Sequence, residues 1–153
     1  MTETMTSIRK ELLVEASQET AFNVFTTKMG LWWPKSHHIG TAPMVKLSLE
    51  NQLNGRWYST HEDGSEVEIG YVLVWDPYNL LVLNWQINGD FKFDDQLTTR
   101  VEVQFIAESP TTTRVILQHH DLNKLGSGKT IQMMDEGWGM IFNLYKDLTN
   151  QLA

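Results

Sequence analysis

A chain of 153 residues carrying a net charge of −7 and no cysteine is long enough to bury one core and too short to suggest two, and its stability must come from packing alone. A nucleic-acid partner is excluded by charge, since the densest basic cluster, Arg9-Lys10, is flanked by Glu11 and Glu15 and a phosphate backbone would be repelled. Residues 1–8 lack the basic and apolar regions of an export signal and no apolar run reaches the roughly 20 residues of a spanning helix, so a cytoplasmic protein without membrane insertion is expected.

Residues 7–16 alternate, with Ile8, Lys10, Leu12, Val14 and Ala16 on one side and Arg9, Glu11, Leu13 and Glu15 on the other, which predicts a half-buried first strand. Ser17 is placed to cap a helix over 18–28, with Glu19 in its first turn and Ala21, Phe22, Val24 and Phe25 as its apolar stripe. Gly30 is expected to end it. Leu31-Trp32-Trp33-Pro34 then predicts a single turn and a loop, because Pro34 disfavours helical geometry at Trp33. Six strand-like runs follow, over 44–50, 55–62, 66–76, 80–87, 98–108 and 112–120, each broken by turn chemistry such as Asn54-Gly55, Asp63-Gly64 and Asp76-Pro77-Tyr78-Asn79. Consecutive hairpins of this kind make an antiparallel meander. The alternation is cleanest in Val101, Val103 and Phe105 and in Val115, Leu117 and His119, whose neighbours are mostly polar.

Leu80-Leu81-Val82-Leu83 is apolar on both sides, which fits a central strand or an outer face covered by a second copy, so monomer and homodimer both remain open. Its register is also open, since a two-residue and a three-residue loop after Asp76 turn opposite faces inward. The chain closes with an amphipathic helix over 130–153, in which Trp138, Ile141, Phe142, Tyr145, Leu148 and Leu152 recur at three-and-four spacing. That apolar face belongs in the hollow of the curved sheet. The fold class is therefore α+β, in one domain.

Motifs for cofactor chemistry fail on inspection. Leu125-Gly126-Ser127-Gly128-Lys129-Thr130 imitates a phosphate-binding loop but has Asn123 where that motif needs its first glycine, and reads instead as a loop with Ser127 or Thr130 available as a cap. His119 and His120, adjacent on a strand, point to opposite faces and cannot share an ion, and a site from His61, His119 and Asp121 would need a chance cross-strand match. No Gly-x-Ser-x-Gly elbow is present. Glu66, Glu68 and Glu102 fall on charged strand sides. Neither a metal nor a tightly held cofactor is expected.

The order of strand, two short helices, six strands and long helix resembles the helix-grip layout of the START-like, or SRPBCC, superfamily. Local motifs resemble its branch named after the activator of the ninety-kilodalton heat-shock protein ATPase. The resemblance rests on residues 17–25, Trp32-Trp33-Pro34 with His37-His38-Ile39-Gly40, Leu53-Asn54-Gly55-Arg56-Trp57, the run from Gly70 through Trp75-Asp76-Pro77 to Trp85, residues 113–119 and Gly137-Trp138. It implies a seven-stranded sheet gripping the long helix around an apolar cavity. It also implies lining residues: Trp33, His38, Trp57, Tyr71, Trp85, Phe105, Leu117, His119, Trp138, Phe142 and Tyr145. The family function implied is sequestration or sensing of a small apolar or amphipathic molecule, the alternatives being a module that engages a chaperone and a cyclase- or hydrolase-type enzyme. For an enzyme the polar candidates are His38, Tyr71, His119 and Tyr145, of which His119 also reads as a hydrogen-bonded core histidine. The namesake co-chaperones carry a further N-terminal domain, whereas here the first strand begins near Ser7.

Overall fold

The computed structural model describes residues 7–37, 41–126 and 128–153. Among them, strands β1 (Ile8–Val14), β2 (Met44–Leu49), β3 (Arg56–His61), β4 (Glu66–Asp76), β5 (Leu80–Trp85), β6 (Thr99–Ser109) and β7 (Thr112–His119) form one antiparallel sheet. Helices α1 (Gln18–Thr26) and α2 (Met29–Trp32) connect β1 to β2, and α3 (Gly128–Leu152) follows a 3-10 turn at Leu122–Leu125. The strand order is β1-β7-β6-β5-β4-β3-β2. Because β1 and β2 lie at opposite edges, the short helices must cross from one edge to the other, and α3 lies along the concave face.

Alternation decides which side chains face that helix. Val101, Val103 and Phe105 of β6 and Val115, Leu117 and His119 of β7 are all buried, and they pack with Ile131, Trp138, Ile141, Phe142 and Tyr145 of α3 in one core. β5 sits at the centre of the sheet, as its two-sided apolar sequence suggested. Its register is settled by the pairing of Asp76 with Leu80: the three-residue loop is used, and Leu81 and Leu83 point inward.

The helical connection differs from expectation in one respect. Ser17 does cap α1, its hydroxyl accepting from the Thr20 N–H, but α1 ends at Thr26 and Gly30 lies inside α2. A Cβ at Gly30 would fall 2.8 Å from the Leu47 carbonyl oxygen, so the glycine serves the close approach of α2 to β2 rather than a helix stop. The Trp32 indole N–H donates to the Val24 carbonyl at 2.8 Å and ties α2 to α1.

Tyr145 joins α3 to the same assembly. Its hydroxyl donates to the Ala21 carbonyl at 2.7 Å, and its ring meets those of Phe25 and Trp32 at 5.2 and 5.4 Å. Burial raises the phenol above its ordinary pKa, so it stays a donor. Tyr145→Phe is expected to cost about 1–1.5 kcal/mol of stability, the worth of one such bond, seen as a lower urea midpoint at unchanged slope.

Candidate functional site

The concave face is filled unequally. Over β1, β7 and β6 the C-terminal half of α3 and α1 interleave Phe22, Phe25, Phe105 and Tyr145 at ring separations of 5.2 to 5.9 Å, all but wholly buried. Over β2 to β5 the N-terminal half of α3 presents Gly137 where a side chain would otherwise reach inward, and nothing lies within 4 Å of the Cβ it lacks. A cavity of about 310 Å³ results.

Its helix wall is Met133, Met134, Gly137, Trp138 and Ile141. The sheet side supplies Met44, Leu47, Ser59, Ile69 and Trp85, continued by Ile87, and the rim is Trp33, Ser36, His37 and Phe91. Phe91 holds a left-handed φ of 59°, and with Met133 it is half exposed, so the mouth opens to solvent between them.

Each indole in the wall has its N–H turned into the protein. Trp33 donates to the His37 carbonyl at 2.8 Å, Trp85 to the Ile87 carbonyl at 3.0 Å and Trp138 to Nδ1 of His119 at 3.1 Å. The cavity is therefore offered carbon surface by all three. The rings are mutually braced, Trp138 lying 5.6 Å from Trp33 and 5.9 Å from Trp85.

His119 is what positions Trp138. Thr99 gives its hydroxyl hydrogen to the Trp85 carbonyl at 2.8 Å and so accepts from Nε2–H of His119 at 2.9 Å, leaving Nδ1 to accept from Trp138. Both ring nitrogens are committed and the imidazole is neutral. Burial, followed by the charge of neighbouring His120, pushes its pKa down to about 3.

A second histidine reaches the cavity indirectly. Ser59 and His61, two apart on β3, share the inner face, and Ser59 Oγ lies 2.8 Å from His61 Nε2. His61 Nδ1 lies 2.8 Å from the Ala42 carbonyl. A carbonyl only accepts, so Nδ1 carries the hydrogen and Nε2 accepts a hydrogen bond from the Ser59 hydroxyl. The cavity meets the serine, and the serine meets the histidine.

Of the residues the resemblance pointed to, the structure brings Trp33, Trp85 and Trp138 to the cavity. Trp57 stands directly behind them, 6.1 Å from Trp33 and 5.6 Å from Trp85. Phe105, Leu117, His119, Phe142 and Tyr145 belong to the solid core instead. Tyr71 is a correction: it is 37% exposed and pairs in the ladder with Arg56 and Asn84, on the convex face. Counting by twos from inward-facing Ile69 would put Tyr71 inside, but the ladder shifts register between Trp57 and Tyr58 and again between Val72 and Val74, and Val72 is buried in its place. His38, like Ser127, lies outside the described residues. Apart from Ile141, already part of the apolar stripe, what the sequence did not single out is the aliphatic and methionine lining, whose signal in the helix was Met133, Met134 and Gly137 recurring beside that stripe. Among the described residues no three His, Asp or Glu side chains converge as metal ligands, and no helix is long and apolar enough to cross a membrane.

No family model and no curated protein matches the chain. Solved structures do. The anthrahydroquino-γ-pyrone synthase Txn09 is 33% identical, with 94% of this chain and 99% of that one aligned at a TM-score of 0.64. This chain belongs to the START-like (SRPBCC) superfamily. The self-sacrificing resistance protein CalC from Micromonospora echinospora is 26% identical over 99% of this chain and 98% of its own, at a TM-score of 0.75. An HSP90 activator from Plasmodium falciparum shares the SRPBCC fold at 18% identity and a TM-score of 0.62, with 88% of each chain covered.

Proposed function

We propose that this SRPBCC protein binds a flat, mainly apolar small molecule beneath the N-terminal half of α3. The observation that carries the reading is a cavity of about 310 Å³ walled by indoles whose N–H groups are all bonded elsewhere. That volume lies at the lower end of roughly 300–1,000 Å³ for ligand sites, which are mostly apolar with a few placed polar groups. Full-length likeness to Txn09, a synthase by name, supports a second reading in which chemistry is done on the bound molecule. A chaperone partner has the fold alone behind it, and a change in chaperone ATPase rate on adding this protein would be its support.

Gly137→Phe tests the cavity directly. A side chain at 137 borders the cavity and starts with no heavy atom within 4 Å of its Cβ, and replacing a helical glycine also recovers roughly half a kcal/mol of helix propensity. Naphthalene binding, measured by calorimetry, is expected to fall at least about thirtyfold, equivalent to ~2 kcal/mol, while the urea midpoint holds or rises. Unchanged naphthalene affinity in this variant would place the ligand elsewhere and overturn the reading. Native mass spectrometry of the purified protein, with release and weighing of any adduct, identifies the resident molecule.

A further inference from the structure

We infer that the cavity ends in a built receptor for a ligand hydroxyl, formed by Ser59 with His61 behind it, and that its ligands are planar aromatics bearing a phenol or enol O–H. The inference rests on the ligand-binding reading above and gives it a chemical class. The Ala42 carbonyl, 2.8 Å from His61 Nδ1, takes the hydrogen of that nitrogen, and with the hydrogen there Nε2 accepts from the Ser59 hydroxyl at 2.8 Å. A hydroxyl has one hydrogen and two lone pairs. Ser59 is thereby left as an acceptor only, and it borders the cavity although just 1% of its surface reaches solvent.

An acceptor held in an apolar enclosure discriminates sharply. A ligand O–H placed on Ser59 Oγ gains a bond, and the chain Ala42, His61, Ser59 polarises that oxygen and strengthens it as an acceptor. An ether or ketone oxygen at the same point has no hydrogen to give and faces lone pairs, leaving two desolvated acceptors opposed. The surroundings favour a flat molecule. Ser59 pairs across the sheet with Leu47 on one side and Val67 on the other, and Leu47 and Ile69 line the same cavity as Trp33, Trp85 and Trp138. Ser59 is thus the specificity-determining group, and His61 is a positioning residue that acts through it.

Calorimetric titration of the intact protein with 1-naphthol, 1-methoxynaphthalene and naphthalene tests this without any substitution. The wild-type protein is expected to bind 1-naphthol about tenfold more tightly than 1-methoxynaphthalene. In Ser59→Ala that gap closes because 1-naphthol weakens, while naphthalene affinity stays within about twofold. In His61→Leu the gap also narrows, because Ser59 regains a hydrogen that it can donate to the ether. Equal affinity for naphthol and the methyl ether in the wild-type protein overturns the hydroxyl receptor while the cavity reading stands. A gap that persists in Ser59→Ala also overturns it, by placing the receptor elsewhere. Failure of all three probes to bind removes the cavity reading and this inference together.

Discussion

Gly70→Ala is expected to cost at least about 3 kcal/mol and to abolish ligand binding with it. Gly70 stands between Trp57 of β3 and Trp85 of β5 in one row of the ladder. A Cβ there would lie 1.6 Å from the Asn84 carbonyl oxygen and 2.7 Å from its carbonyl carbon. These are backbone atoms of the central strand, not the far end of a flexible side chain, so relief requires β4 and β5 to separate. Separation breaks ladder hydrogen bonds in a buried region and parts the indoles of Trp57 and Trp85, which meet at 5.6 Å. Overpacking alone costs roughly 1–3 kcal/mol, and lost ladder bonds add to it. Gly128→Ala, where nothing lies within 4 Å of the new methyl, is the matched control and is expected to be neutral or stabilising. Urea denaturation of both variants decides the matter: a Gly70→Ala midpoint close to the parent's would mean that the strands part at little cost.

Acid should weaken the protein through His119. Unfolded, its imidazole titrates near 6.5; folded, burial holds it at about 3. Between those values the unfolded chain binds a proton that the native state does not, so the contribution is fully present above about pH 6.5 and is lost as pH falls toward 3. Each pH unit in that window is worth ~1.4 kcal/mol, so lowering the pH from 6.5 to 4.5 is expected to remove about 2–3 kcal/mol through this group. Protonation would also place a hydrogen on Nδ1, where the Trp138 N–H already points, and so loosen the cavity wall. His119→Gln keeps one donor and one acceptor and removes the titration. Its urea midpoint is expected to fall less between pH 7 and 4.5 than the parent's, by the equivalent of one proton. Identical pH profiles for the two proteins would show that His119 carries no such linkage.

The fold was legible because period and turn chemistry agree along most of the chain. Alternation at 101–105 and 115–119 named the inner face correctly, the two-sided apolar run at 80–83 marked the central strand, and Ser17 marked a helix start. The register after Asp76 was not legible, because either loop length suits the same residues and only tertiary packing chooses between them. The site was legible in part. Large aromatics draw attention, yet of six tryptophans only Trp33, Trp85 and Trp138 wall the cavity, while Trp32, Trp57 and Trp75 pack with the core. A cavity arises where side chains stop short, as at Gly137, and an absence of atoms leaves a faint mark on a sequence. Tyr71 failed for a related reason, since a register shift changes which parity faces inward and no composition signal announces it. The Ser59–His61 pair was visible as two polar residues on one strand face, but only the Ala42 carbonyl, nineteen positions away, fixes its tautomer and hence its meaning.

Helix α3 divides its duties along its length. From Tyr145 to Thr149 it is fastened, through the Ala21 carbonyl and its own backbone, whereas between Met133 and Ile141 its inner side lines the cavity. Heritable change at the cavity-lining positions between Met133 and Ile141 therefore carries less risk to folding, so that descendants of one sequence could trade methionine for larger or smaller neighbours and take up new guests while the frame stays intact. Trp138 is denied that freedom, because altering it would reshape the guest chamber and leave His119 Nδ1 without its donor at once.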